Sequence, residues 1–360
     1  MPEYTHESTS RARAADRRER PTRHVSDETS TEQATPDSGE TEQPAAKPDQ
    51  LPGIWEREPA RVRSFRYKID VGPRLFAASV LALVLSVVIV AITLMLAPSE
   101  ERSLIVGGSL VALVAGAALT SVGVYGGVLV PGLLLLGVHP LFAAPLSLFL
   151  QVLIVPFGAS AHVRLGNVSR PLVIPLVIGG VIGAVLGPVV ASFFEADVIR
   201  LAVEILIIVS AILLLVSLPL KQMQVSREAG DLPTARIGGI GAVSGMASGI
   251  SGAGWGPMGV TLLILSRIEP RIAVGSSVFG RIFMAAAAVL SAVVVMAVTP
   301  GLYDRIDPQW ELLPSILAAS LAAMLPGAIL ASRLGRTRMS IIIATVSITL
   351  ATLALIAGLL

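Results

Sequence analysis

From residue 75 onward the chain is a succession of long apolar runs separated by short polar loops, and this pattern limits what it can fold into. The runs are 75–97, 104–137, 142–158, 171–194, 198–218, 237–266, 272–298, 312–334 and 339–360. Most are near the roughly 20 residues that a helix needs to cross a bilayer. Lipid offers no water to an open backbone, so only helices or closed barrels span it. Runs this long and uniformly apolar are not alternating barrel strands. The expected fold class is an all-α polytopic membrane protein.

Composition agrees: 53% of the 360 residues are apolar and 14% are charged, where a soluble domain carries about a quarter charged residues. The first 70 residues hold 12 Lys or Arg and 14 Asp or Glu, with no sustained apolar periodicity. They cannot bury enough surface to offset the entropy of ordering, so 1–70 reads as a disordered tail. The first apolar run begins at Leu75, too late for a cleaved secretory leader, and the tail is expected to be retained. Without cysteine there is no disulfide, thiolate nucleophile or Cys-held metal. Lys47, Lys68 and Lys221 are the only lysines and none follows a Gly-rich loop, which excludes a Walker-type ATP site. Gly252-x-Gly254-x-Gly256 lacks the third glycine in register and the preceding strand of a dinucleotide fingerprint, and neither GxSxG nor HExxH occurs. The chain is not expected to be an enzyme.

Loop charges set the expected topology. Arg57, Arg61, Arg63, Arg66, Lys68 and Arg74 precede the first run, and arginine and lysine return in alternate loops at Arg164 and Arg170, at Lys221, Arg227 and Arg236, and at Arg333, Arg336 and Arg338. The loops between carry Glu100 and Glu101, then Glu195 and Asp197, then Asp304, Asp307 and Glu311. By the positive-inside rule the N-terminus is cytoplasmic and the C-terminus outside, in a multi-pass protein of the cell membrane. Residues 104–158 then start outside and end inside, and 237–298 do the reverse. One run of each pair does not cross, and the Gly-rich runs 104–137 and 237–266 are expected to be re-entrant hairpins.

These hairpins belong to a repeat. At an offset of 130, residues 121–151 align without a gap on 251–281 with nine identities, among them Ser121/Ser251, Gly126/Gly256, Pro140/Pro270, Ala143/Ala273 and Ser147/Ser277. Tyr125 and Trp255 coincide just before the shared glycine, and Pro175 answers to Pro314. The expected organisation is a cytoplasmic tail (1–70), an extra transmembrane helix (75–97), a first repeat (104–218), a cytoplasmic linker (219–236) and a second repeat (237–360). The halves start on opposite sides, which is the inverted-topology architecture of secondary transporters with a site at the repeat interface.

Of 33 glycines, 17 lie in 104–137 and 237–266. After each break a short helix presents free N–H groups and a positive dipole end to mid-membrane, which favours an anion. The candidate backbone contacts are Gly126, Gly127, Gly254 and Gly256, with Pro257 suited to the first helical position. The GxxxGxxxG run of Gly179, Gly183 and Gly187 reads instead as close helix packing. Arg281 lies ten residues past Arg271, so about 15 Å into the core, where a guanidinium needs a partner or a wet cavity. It is expected either to touch substrate or to bond the carbonyls of a broken helix. Its counterpart in the first repeat is Gln151, and Ser147, Ser276 and Ser277 add hydroxyls one turn earlier. Glu204 is the one carboxylate well inside a spanning run, and either pairs with Arg281, carries a coupling proton or is interfacial.

At these residues the chain resembles the TauE/SafE family of sulfite and organosulfur anion exporters. The resemblance rests on Gly126 to Pro131, on Gly137-Val138-His139-Pro140 with Ala143 to Ser147, on the His162 to Val168 loop, and on Gly245 to Pro257 with Pro270 to Ser277. It covers about 104–360, while the tail and first apolar run have no place in the family pattern, and Val124-Tyr125 stands where the family's first glycine cluster is denser. The resemblance implies a transporter of small sulfur-containing anions, such as sulfite or sulfonates, driven by an ion gradient or potential. The expected partners are a small anionic substrate, the lipid bilayer and a coupling proton or other ion, with no cofactor, no metal and no nucleic acid. The alternatives are a passive anion channel, or a membrane anchor or signalling protein that acts through its tail.

Overall fold

The computed structural model describes residues 73–220, 232–299, 301, 308–334 and 336–359. The expectations for the tail at 1–70 and for most of the linker at 219–236 lie outside the described residues. Within them the chain is helical, and eight helices are long and apolar enough to cross a membrane. The protein is a multi-pass membrane protein.

The helices follow the apolar runs closely. They are α1 (Pro73–Leu96), α2 (Arg102–Val122), α3 (Gly126–Leu135), α4 (Pro140–Arg164), α5 (Arg170–Ala191), α6 (Ala196–Leu220), α7 (Thr234–Ser251), α8 (Val260–Leu265), α9 (Pro270–Val298), α10 (Leu312–Leu334) and α11 (Arg336–Leu359). A π-turn, Trp255–Gly259, leads into α8. Both Gly-rich runs resolve into a long helix, a glycine and a short helix. Gly123 ends α2 at φ 81° and Gly252 ends α7 at φ 68°, a left-handed backbone that a residue with a Cβ adopts at a cost.

The two short helices end alike. The Val138 and Gly137 N–H groups donate to the Leu133 and Leu134 carbonyls, and the Ile268 and Arg267 N–H groups donate to Leu263 and Ile264. Both form the same double cap. Gly137 takes φ 88° there, while Arg267 takes φ 66°, alone in the left-handed region among described non-glycine residues.

Small residues set which helices pair. A Cβ on Gly179, Gly183 or Gly187 would collide with the backbone of α7 at Gly238, Ala242 and Gly249, so α5 and α7 run parallel in close contact. Gly116 meets Ser320 and Gly327 meets Ala117 in the same way, which lays α2 parallel to α10. Lipid tails are as apolar as leucine, so this close packing, rather than burial from water, holds the pairs together. Each helix that ends at a break, α2 and α7, therefore lies along a helix distant from it in sequence. Further, α4 and α5 pack on α9, α6 and α3 on α11, and α1 on α10. Residues 80–96 of α1 are mostly exposed, as suits a helix added to the edge of the bundle.

Candidate functional site

The two breaks meet. A Cβ on Gly126 would collide with the Gly252 carbonyl, and one on Gly256 would collide with Arg281 Nη2 and come within 2.9 Å of the Gly123 carbonyl. Only glycine allows two interrupted backbones to approach so closely. Tyr125 and Trp255, each 1% exposed, fix the legs that follow. The Tyr125 hydroxyl shares a 2.8 Å hydrogen bond with Ser320, and Trp255 Nε1 donates to the Ser277 carbonyl at 2.8 Å.

Helices α4 and α9 bring their middles to this junction. On α4, Ser147 Oγ donates to the Gly252 carbonyl at 3.2 Å and Gln151 Nε2 donates to the same oxygen at 3.0 Å. Both residues are buried and are spent on stabilising the second break. The role left open for Arg281, bonding the carbonyl of a broken helix, is thus filled by its counterpart Gln151. Arg281 itself is 3% exposed and its Nε has no hydrogen-bond partner. Among the described residues it makes no ion pair.

Beside the guanidinium lies a small cavity of about 30 Å³. Its walls are Val122 to Val124 of the first break, Gly256 and Pro257 of the second, Val274 and Val278 of α9, and Leu214 and Ser217 of α6. The volume is enough for a water or two. Val274 and Val278 precede Arg281 on α9, and Leu214 and Ser217 lie near the end of α6, so the cavity extends from the guanidinium toward the Pro270 end of α9. A single buried cation in an apolar, partly polar-backbone cavity is a setting for an anion, because the low dielectric strengthens its pull on a counter-charge.

The remaining candidates separate from Arg281 in part. Ser277 Oγ is buried without a partner, next to the second break. Ser276 faces elsewhere: its Oγ accepts the Ser169 N–H at 3.1 Å at the start of α5, and Gly275 lies against Asn167, so the His162 to Val168 loop is seated on the start of α9. Gly126 lies in the contact between the breaks, while Gly127 turns toward Val124 and Ser347. Gly254 packs on Ala247 and Ser248, with Gly256 alone beside Arg281. Pro257, expected at the first helical position, stands third in the π-turn. It still falls in the opening turn, where its missing N–H would have had no intrahelical partner.

Glu204 pairs with Arg200, not with Arg281. The Arg200 Nε donates to Glu204 Oε1 at 3.2 Å, and Arg200 Nη2 donates to the Ala354 carbonyl at 2.8 Å, tying α6 to α11. Glu204 is fully buried and its Oε2 has no partner. The i, i+4 spacing of Arg200 and Glu204 is legible in the sequence and signals this pair. The contribution of α6 to the cavity carries no such signal, because Leu214 and Ser217 look like any lipid-facing stretch until the fold brings them to the break. No group of three or more metal-ligating side chains occurs among the described residues.

A family model described as sulfite exporter TauE/SafE matches residues 108–354. No curated protein and no solved structure matches the chain.

Proposed function

The chain belongs to the sulfite exporter TauE/SafE family, and from that premise we propose that it is a secondary carrier that exports small sulfur-containing anions, such as sulfite or sulfonates, by alternating access at the junction of the two breaks. The observation that carries this reading is Arg281. A buried guanidinium with an unpartnered Nε, at the meeting point of two broken helices and beside a cavity, is costly unless a ligand repays it. Arg281 takes the anion, with Ser277 and the backbone at Gly256 beside it. Ser147 and Gln151 hold the Gly252 carbonyl and Gly126 packs against it, so they support the junction from the other side.

The halves are inverted repeats and the broken runs are re-entrant hairpins. The parallel pairing of α2 with α10 and of α7 with α5 supports this, since the arginine bias of the loops sends each pair in one common direction. On the same bias the Pro270 end of α9 is cytoplasmic, so the cavity reaches toward the side from which an exporter loads. The Gly252 side of the junction is closed by side-chain bonds, which favours a carrier over an open channel.

The test is Arg281→Gln in the purified protein, reconstituted in liposomes and assayed for uptake of labelled sulfite. The expected result is loss of most of the saturable flux with the fold retained in a thermal melt. Unchanged flux and affinity would overturn the assignment of that residue.

A further inference from the structure

The two breaks are built from matching parts in different conditions. At the offset of 130 residues, Ser147 answers to Ser277, Gln151 to Arg281, Ala144 to Val274 and Val130 to Val260. The Gly252 break is sealed: Ser147 and Gln151 donate to its carbonyl, and a Cβ there would meet the Ala144 carbonyl at 2.8 Å and Val130 at 3.1 Å. The Pro140 end of α4 is closed further by Phe142, whose ring stands edge-on to Trp310 at 5.4 Å between centroids. The Gly123 break is open: nothing lies within 4 Å of the position its Cβ would take. Beside it Arg281 Nε is unpartnered, and Val274, the counterpart of Ala144, lines the cavity rather than packing on the glycine.

We infer that Gln151 and Arg281 are the two arms of one latch, closed in turn on the carbonyls of Gly252 and Gly123. In the state described here Gln151 holds the Gly252 side shut, and Arg281 stands beside the Gly123 carbonyl, free for an anion. In the opposite state Arg281 closes on the Gly123 carbonyl, Val274 moves onto that break, and Gln151 lets go of Gly252. The physical reason is that a carbonyl exposed by a left-handed glycine inside a membrane needs a donor or a water-filled cavity. Closing one break supplies the donor, and opening the other supplies the cavity. Anion and latch compete for the same space beside Arg281, so closure displaces the anion from the guanidinium. Gln151 is accordingly a positioning residue. This inference rests on the alternating-access reading above and deepens it.

The chain has no cysteine, so a single introduced thiol reports alone. Full-length Val274→Cys and Ala144→Cys variants in proteoliposomes are exposed to a membrane-impermeant maleimide from each side in turn. In the parent background the thiol at position 274 reacts from one side, and the thiol at 144 is protected from both. Adding Gln151→Leu, or separately Ser147→Ala, is expected to raise labelling at 144 from the opposite side and lower it at 274, each by roughly tenfold for one lost hydrogen bond. The latch is overturned if both variants melt like the parent and leave both labelling rates unchanged, or if labelling at both positions rises from the same side. Labelling needs no substrate. A shift without flux of any anion would sink the substrate reading and leave the latch, whereas normal flux with no shift would sink the latch alone.

Discussion

Arg267 occupies a left-handed backbone position that its counterpart gives to glycine, with φ 66° against 88° at Gly137. A side chain there costs about 1 kcal/mol. Arg267→Gly is therefore expected to raise the melting temperature in detergent slightly, and Arg267→Val, with a β-branch, to lower it. His139 gives a second prediction at this scale. Its Nδ1 accepts the Leu141 N–H at 3.2 Å at the start of α4, which requires an unprotonated Nδ1. Burial holds the imidazole below the ordinary histidine range, with Asp197 pulling weakly the other way. A folded value below the unfolded one means that the unfolded chain takes up the proton first. The contribution of His139 to stability is thus complete above the ordinary histidine value near 6.5 and is lost as pH falls from there through the lower folded value. Melting curves at neutral and mildly acidic pH should show a smaller acid-induced loss in His139→Asn, because asparagine keeps the acceptor and does not titrate.

The seam between α5 and α7 makes a prediction about elements. A side chain at Gly183 would run into Ala242 and Met246 of α7, whereas nothing stands near Gly239 on the same helix as those partners. Gly183→Leu should prevent normal assembly, read as loss of a monodisperse peak in size-exclusion chromatography, and Gly239→Leu should leave the peak intact. At this scale the sequence is informative because lipid imposes one rule everywhere: an apolar run of the right length becomes a helix. The apolar runs accordingly predict the helices within a few residues, including both interruptions. The π-turn at Trp255 to Gly259 is not legible in that way, since Trp-Gly-Pro-Met-Gly is equally compatible with an α-helical first turn. The partner of Glu204 is a local i+4 matter, and the sequence left it open between Arg281 and other roles; only the fold carries Arg281 to the Gly123 break and away from α6's carboxylate.

For the whole molecule, the repeat offset carries the site more than any single motif does. Aligning 121–151 with 251–281 pairs Gln151 with Arg281, and the structure brings both to the one junction where the breaks touch. What the alignment does not carry is which break is closed, because that depends on the state of the packing and not on residue identity. The sealed Gly252 break and the open Gly123 break are a property of packing. The transport reading also places the working parts within the span that the family model covers, 108–354. Removing residues 1–70 should therefore leave flux per reconstituted protein within about twofold of the full chain, whereas an anchor acting through its tail would lose its function. The most direct test of the central claim is uptake of labelled sulfite, sulfate, taurine and acetate into liposomes holding the full chain, with and without an imposed pH gradient or potential. The account predicts saturable flux of a sulfur anion that responds to the gradient. Absence of flux for all of them under every gradient would contradict it.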